Sequence, residues 1–253
     1  MLSSVAAAIL IAGLMIGLTG IGGVLVVPAL TGFAAVPLDR AIAASMIGFL
    51  AAGVPAAVLH IRRSPPHMPH VWLGGALAAA GSAAGALTLD AFPAQGVRLF
   101  IAALAIGSGG YALFRREPRT GKPIATPPLA LLALVIGYGS AISGTGGPVM
   151  MIPALLFLGM PVREAIALGV AVQVPITLVA TVVNFAKDRL DAPLAATIAV
   201  VLLCGTLAGT WLSGRLSRRA VTTSVALVLM ATGAWYGLAS TLAPAAPGAL
   251  SAS

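Results

Sequence analysis

Charged residues are scarce in this chain. Asp, Glu, Lys and Arg make up 8% of its 253 residues and hydrophobic residues 59%, so that the mean hydropathy is +1.06. A soluble domain carries about 25% charged residues, and so few charges could not cover a surface that faces water. The composition therefore excludes a soluble globular protein and predicts an integral membrane protein whose main solvent is lipid.

Cysteine and acidic residues are also scarce. The single cysteine, Cys204, cannot form an internal disulfide, and its apolar surroundings disfavour a thiolate. All six acidic residues lie in expected loops or at the ends of apolar segments, so none is placed to relay a proton in mid-membrane. Clusters with metal-ligand spacing and a Walker A motif are missing from the sequence. We therefore expect no enzyme activity, no cofactor, no metal and no use of ATP by this chain.

Positive charge outweighs negative charge, with 14 Lys and Arg against six Asp and Glu and a formal net charge of +8. Three loops are clearly basic: HIRRSPPHMPH at 60–70, RREPRTGKPIATPP at 115–128 and GRLSRR at 214–219. Short basic loops between apolar runs are typical of the cytoplasmic side of membrane proteins. Nucleic-acid binding would require a basic patch interleaved with exposed aromatic residues, which is missing. The positive charge therefore indicates which loops lie on the cytoplasmic side of the membrane. It does not indicate a nucleic-acid partner.

Eight apolar stretches approach the length of about 20 residues that a helix needs to cross a bilayer. They are 2–19, 41–61, 71–89, 97–114, 127–143, 165–186, 194–214 and 220–242. Two shorter apolar pieces, 24–36 and 149–160, each follow a glycine-rich stretch. As a helix the piece 24–36 is about 20 Å long, too short for a hydrocarbon core of about 30 Å. Such pieces are either short crossings or re-entrant hairpins.

The chain contains an internal repeat with an offset of 124 residues. At this offset the glycines at 13, 20, 22 and 23 meet those at 137, 144, 146 and 147, and Pro37 meets Pro161. Composition alone would give scattered matches, whereas an ordered series indicates duplication. We predict a first membrane repeat at 1–114, a basic cytoplasmic linker at 115–126, a second membrane repeat at 127–242 and a disordered tail at 243–253.

Loop charge predicts how the two repeats are related. An even number of crossings in each repeat divides the basic residues 8 to 6 between the two sides of the membrane, and an odd number divides them 10 to 4. The remaining four, Arg40, Arg98, Lys187 and Arg189, each have an acidic residue in the same loop. The positive-inside rule favours the odd number, which gives inverted repeats and both termini outside the cytoplasm. The expected fold is an all-α polytopic membrane protein with two inverted repeats, each with a Gly-broken segment and three full spans.

Two glycine-rich stretches, TGIGGVLVVP at 19–28 and SGTGGPVMMIP at 143–153, interrupt the apolar pattern. Irregular backbone at membrane depth is tolerated only where it is buried in protein or lines a polar cavity. A helix that restarts there offers unpaired N–H groups and the positive end of its dipole, which favour an anion. We expect an anion site formed by Thr19, Gly20, Gly22, Gly23, Ser143, Gly144, Thr145, Gly146 and Gly147, with Pro28, Pro148 and Pro153 as hinge or helix-break residues. The alternative is that the glycines only allow close helix packing.

Other polar residues have two interpretations each. Gln173, inside the stretch 165–186, is a candidate substrate-binding residue, or it forms a hydrogen bond between helices. Asn184, near the end of the same stretch, and Ser45, near the start of the equivalent stretch in the first half, have the same two interpretations. The pairs Asp39–Arg40 and Arg163–Glu164 occupy equivalent places in the repeats and are expected to begin the following helices, where an acidic residue suits the dipole.

The glycine-rich stretches also carry a resemblance to a known family. GIGG followed by VVPAL, and GTGGPVMMIPALLFLGMPVREAIA, are similar to the signatures of the TauE/SafE sulfite-exporter family of bacterial membrane permeases. The chain length and the duplicated half are also similar. The resemblance implies transport of small anions, often sulfur oxoanions or organosulfonates, across the inner membrane. The first copy, GIGGV, lacks the third glycine that many members carry.

These features predict a secondary transporter of a small anion in the cell inner membrane, with its site at the two glycine breaks and both termini periplasmic. An anion channel that uses the same site is the alternative. A scaffold or an intramembrane enzyme fits less well, because repeated breaks have no use in the first and catalytic groups are missing for the second. The expected partners are a small anionic substrate and the lipid bilayer, and a homo-oligomer is left open.

Overall fold

The structure, a computed structural model, describes residues 2–114, 125–213, 215 and 218–242. These residues form ten α-helices and two short 3-10 turns, and none of them lies in a strand. The helices are α1 (Leu2–Thr19), α2 (Val26–Phe33), α3 (Leu38–Arg63), α4 (Met68–Thr88), α5 (Ala94–Phe114), α6 (Thr126–Ser143), α7 (Pro148–Phe157), α8 (Val162–Ala186), α9 (Ala192–Leu212) and α10 (Arg218–Leu242). The expected all-helical polytopic membrane protein is confirmed. Most of the predicted linker and the whole predicted tail lie outside the described residues.

Among the described helices, α3, α4, α5, α6, α8, α9 and α10 are long and apolar enough to cross a membrane. The first expected crossing, 2–19, forms α1, whose apolar part Ser4–Thr19 is shorter than these seven. The helix α2 has 8 residues and α7 has 10, so they are about 12 and 15 Å long. Neither can cross a hydrocarbon core of about 30 Å by itself.

Prolines and glycines determine several helix boundaries. Pro37 and Pro161 precede α3 and α8 with extended backbone angles, φ −52° and −57° with ψ 142° and 140°. The helix α6 ends at Gly144, whose φ of 68° lies in the left-handed region, and α1 is followed by Gly20 with a φ of 76°. Because residues with an L side chain rarely adopt this region, these two glycines fix where both helices stop.

Glycines bring α1 and α9 into backbone contact. Gly13 lies against Leu202, Gly205 and Thr206, and Gly17 lies against the backbone between Thr206 and Thr210. Both helices therefore run in the same direction. Apolar side chains gain little by leaving lipid for protein, so small residues that allow this close approach are the usual means of helix association in membranes.

The helices α4 and α6 pack in the same way. Gly81 lies against Leu134 and Tyr138, and Gly85 lies against Tyr138 and Ala141, so these helices are also parallel. Under the repeat offset α1 corresponds to α6, and α9 to α4. The same packing therefore occurs twice. In one pair α1 of the first half packs against α9 of the second, and in the other α6 of the second half packs against α4 of the first.

The helices α5 and α10, which are equivalent under the repeat offset, pack in opposite directions. Gly109 lies against Ala226, and Gly233 lies against Ala102. Under the repeat offset Gly109 corresponds to Gly233 and Ala102 to Ala226, so each contact is the other with its two members exchanged. The packing is therefore self-complementary, as two copies related by a two-fold axis would be.

Helices joined by a short loop run in opposite directions. Together with the packing directions above, this places the ends of α3, α5 and α9 and the start of α8 at one end of the bundle. Among the described residues this end carries Arg62, Arg63, Arg163 and Arg215 against one acidic residue, Glu164. We call it the basic end. At the opposite end the described acidic and basic residues are equal in number. Large apolar side chains on the outer surface, such as Trp72 at 73% and Phe157 at 85% exposure, suit contact with lipid.

Candidate functional site

Two interruptions of the helices lie at equivalent places in the repeats. After α1 the chain passes through residues 20–22 and resumes as the 3-10 turn Gly23–Leu25 and then α2. After α6 it passes through residues 144–147 and resumes as α7 at Pro148. Gly146 and Gly147 have φ values of 77° and 109°. Both interruptions are buried, and so are the residues of the first turns that follow them except for the half-buried Met150.

The two interruptions meet inside the protein. An added Cβ at Gly23 would lie 2.7 Å from the carbonyl oxygen of Thr145 and 3.0 Å from the ring of Phe49. An added Cβ at Gly146 would also lie 3.0 Å from that ring. Phe49, which is 1% exposed, therefore packs against both glycine stretches. Segments from the two halves of the chain thus form one buried cluster.

Four backbone donors in this cluster have no acceptor. Within the part of the chain that the structure describes, the N–H groups of Gly22, Gly23, Gly146 and Gly147 donate no hydrogen bond to the protein. By contrast, the N–H of Gly20 donates to the carbonyl of Ile16 at 2.8 Å. Buried backbone N–H groups without a partner are rare in folded proteins. Two such pairs, each at the start of a short helix, form a place that favours negative charge without Lys or Arg.

The hydroxyl groups beside the glycines are used within the turns. Thr19 Oγ1 donates to the carbonyl of Met15 at 2.9 Å. Ser143 Oγ bonds to the carbonyl of Gly139 at 2.7 Å and lies 2.9 Å from Thr145 Oγ1. These hydroxyls stabilise the ends of α1 and α6, so of the predicted site residues on the two stretches it is the glycines, through their backbone N–H groups, that have donors left for a ligand.

Gln173 lies beside the cluster and is 3% exposed. Its Nε2 donates to the carbonyl of Phe49 at 2.9 Å, and its side chain packs against Gly53. A Cβ on Gly147 would lie 4.0 Å from the Cα of Gln173. Gln173 thus orients the backbone that carries the Phe49 ring, and its direct contact with a ligand stays a prediction.

The three prolines of the glycine-rich stretches differ in position. Pro148 is the first residue of α7, where no N–H is needed. Pro28 and Pro153 lie inside α2 and α7, after the interruptions. There each removes the backbone donor that the carbonyl four residues earlier would use. The hinge role proposed for these prolines stays a prediction.

Sequence reasoning missed two residues of the cluster. Phe49 packs against both glycine stretches, but nothing in the sequence distinguishes it from other apolar residues of its span. Ser140 Oγ is buried without a hydrogen-bond partner and would lie 3.8 Å from a Cβ on Gly147. Its spacing of three residues from Ser143 places both on neighbouring positions of one helix face, which is the signal that could have found it.

A second polar cluster joins the two halves at the end opposite the basic end. Arg189, only 4% exposed, forms an ion pair with Asp90 and donates to the carbonyl of Ala86 at 2.9 Å. It also donates to Oδ1 of Asn184 at 3.0 Å, while Nδ2 of Asn184 is buried without a partner. Asn184 therefore belongs to this cluster and does not touch the glycine stretches.

A comparison with protein families covers both interruptions. The family model described as sulfite exporter TauE/SafE matches residues 5–236. The chain belongs to the TauE/SafE family. The resemblance expected from the glycine-rich stretches is thereby confirmed. No curated protein and no solved structure matches the chain.

The TauE/SafE family is a family of membrane transporters. The seven long apolar helices of the described chain agree with a multi-pass membrane protein. The TauE/SafE match runs from α1 into α10 and includes both interruptions. The buried glycine cluster therefore lies within the part of the chain that the family shares.

Proposed function

We propose that this protein is a secondary transporter that binds a small anion at the N–H groups of Gly22, Gly23, Gly146 and Gly147. The observation that carries the proposal is that these four buried donors have no acceptor in the described protein and belong to two interruptions in contact. A sulfur oxoanion or an organosulfonate has several oxygens that accept such bonds, and hydrogen bonds to a charged acceptor are stronger than neutral ones. The helix starts supply the positive potential.

The packing of α5 against α10 supports inverted repeats. Equivalent helices that run in opposite directions are related by an axis in the membrane plane, as in many secondary transporters. In this arrangement Arg62, Arg63 and Arg215 share one side of the membrane. By the positive-inside rule that side is the cytoplasm of a bacterial cell, and both termini are periplasmic.

The difference between the two ends of the bundle supports a carrier over a channel. A cavity of about 240 Å³ at the basic end is lined by residues that include Ile166, Ser213 and Val225. Ile166 and Ser213 are partly exposed there, whereas the equivalent residues at the opposite end, Ile42 and Leu89, are 0% and 6% exposed. Access from one side at a time is the requirement of alternating access, whereas a channel is open from both sides.

A pair of substitutions at Gly146 tests the site. Asp and Asn have nearly the same shape, and both tolerate a left-handed φ better than other residues with a side chain. Gly146→Asp places a negative charge beside the free N–H groups, so it should abolish anion transport in proteoliposomes. Gly146→Asn should retain a measurable fraction of the wild-type rate. Equal transport by both variants would show that the anion does not bind here.

The same vesicles separate a carrier from a channel. A carrier shows saturation and counterflow, in which unlabelled anion inside the vesicle accelerates uptake of labelled anion, and a channel shows ohmic current. Thermal unfolding of the detergent-solubilised protein with sulfite, methanesulfonate or acetate then identifies the substrate class. We expect the sulfur anions to raise the unfolding temperature of Gly146→Asn and not of Gly146→Asp, since only a bound ligand stabilises.

A further inference from the structure

The cavity at the basic end connects the surface to the first glycine interruption. It has a volume of about 240 Å³ and lies where α1, α5 and α9 end and where α8 and α10 begin. Its wall includes Ile152 and Ile166, whose side chains would lie 3.2 and 3.7 Å from a Cβ on Gly20. Since a water occupies about 30 Å³ in the liquid, the cavity has room for a small anion with part of its hydration shell.

Polar residues from four helices or their ends line this cavity. Thr19, Arg163, Ser213 and Thr222 contribute to its wall together with apolar side chains. Arg163 is exposed to solvent, and among the residues that the structure describes no carboxylate lies within 4.0 Å of its guanidinium. It is the second residue of α8, at the end of the helix dipole that disfavours a cation, so helix stability does not account for its charge.

The opposite end lacks this combination. Under the repeat offset the position of Arg163 is held by Asp39, and the residues equivalent to Ile166, Val221 and Val225 of the cavity wall are buried: Ile42, Val97 and Ile101. The two glycine interruptions are therefore similar in sequence, but the residues between each interruption and its end of the bundle differ. Where the cavity wall carries Arg163 at the basic end, the opposite end thus carries an acidic residue.

We propose that this cavity is an anion-collecting vestibule, in which Arg163 holds the transported anion by its charge before the anion reaches the glycine site. The proposal rests on the proposed function and adds the route by which the anion enters. An exposed guanidinium stays hydrated and holds an anion weakly, so it raises the local anion concentration without trapping the substrate. The vestibule favours loading from the basic end.

Initial rates of transport loaded from the basic end test the vestibule. Arg163→Gln should raise the half-saturating anion concentration about threefold to tenfold at low salt, and it should leave the maximal rate within about twofold, because charge steering acts on encounter. At about 1 M salt the difference should shrink, since the Debye length falls to about 3 Å. Arg163→Lys should behave like the wild type. Arg62→Gln is the matched control, because it removes an exposed charge from the same end outside the cavity.

A second measurement requires no comparison between separately folded proteins. In a Cys204→Ala background, Arg163→Cys is reacted in the membrane with a thiosulfonate reagent that attaches either a trimethylammonium or a sulfonate group. The positive group should lower the half-saturating concentration and the negative group should raise it. Equal effects of the two reagents, or equal kinetics of Arg163→Gln and Arg62→Gln, would overturn the vestibule.

These experiments distinguish a failure of the vestibule proposal from a failure of the proposed function. If Gly146→Asp is inactive, Gly146→Asn is active and Arg163→Gln matches its control, the glycine site stands and only the vestibule is wrong. If Gly146→Asp transports as well as Gly146→Asn, the proposed site is wrong whatever Arg163 does.

Discussion

Gln173 donates a hydrogen bond of 2.9 Å to the carbonyl of Phe49, and the two residues are 124 positions apart. This separation equals the repeat offset, so Gln173 bonds to its own counterpart in the other half. A bond between equivalent positions lies where the two repeats face each other. The Phe49 ring at that point also touches Gly23 and Gly146, so the junction of the repeats and the buried glycine cluster coincide.

Substitution of Gln173 should affect stability and transport separately. Gln173→Leu removes one hydrogen bond between helices and should lower the free energy of unfolding by about 0.6–1.7 kcal/mol. Gln173→Glu also loses the donor, and it adds a charge beside the proposed anion site. Thermal unfolding in detergent and transport in vesicles measure the two effects. We expect Gln173→Leu to keep more transport than Gln173→Glu, and the reverse order would contradict an anion near this side chain.

Close helix packing gives a prediction that does not depend on the substrate. A Cβ on Gly81 would overlap the carbonyl oxygen of Leu134, whereas a Cβ on Gly107 would meet nothing within 4 Å. Gly81→Ala should therefore separate α4 from α6 and lower the free energy of unfolding by about 1–3 kcal/mol, the usual cost of overpacking. Gly107→Ala should be neutral or slightly stabilising, because Ala has the higher helix propensity. Unfolding in denaturant compares the two, and equal stability would rule out the backbone contact.

The ion pair of Arg189 and Asp90 should show energetic coupling. Asp90→Ala leaves the buried guanidinium without its carboxylate, so it should lower the unfolding temperature in the wild-type background. In an Arg189→Met background the same substitution should be nearly neutral. A double-mutant cycle should give a coupling energy of about 0.5–3 kcal/mol, the range for residues in contact. A coupling near zero would show that the two side chains act independently.

Much of the fold followed from the sequence, because apolar length and helix-ending residues act locally. The expected crossings 41–61 and 165–186 correspond to α3 and α8, and each helix begins three residues earlier than its apolar pattern. The extra residues include the charged pairs that follow Pro37 and Pro161. Hydropathy omits these pairs, whereas the proline fixes the helix start regardless of charge.

The partners of polar residues could not be read in the same way. The sequence places Asp188 and Asp191 in the same loop as Arg189, yet its guanidinium pairs with Asp90 of the other repeat. The side chain of Asp191 instead accepts from the N–H of Leu194 at the start of α9. Which acid a buried Arg reaches depends on how α4 and α8 pack, and this information is distributed over both halves of the chain.

The glycine stretches were identifiable because repeated breaks in apolar segments have few structural uses. Phe49 and Ser140 were not, since their importance comes from the packing of α3 between the two interruptions and of α6 against Gly147. Composition and spacing give the location of irregular backbone. They do not give the side chains that close around it.

The orientation of the protein in the membrane is testable with cysteine labelling. Arg40 and Arg62 are exposed residues near the start and at the end of α3, on opposite ends of the bundle. In a Cys204→Ala background, a membrane-impermeant maleimide applied to intact cells (spheroplasts where an outer membrane is present) should label Arg40→Cys and not Arg62→Cys. After permeabilisation it should label both, which controls for accessibility of the thiol. Labelling of only Arg62→Cys in the intact cells would place the basic end outside, and it would reverse the direction in which the vestibule loads its anion.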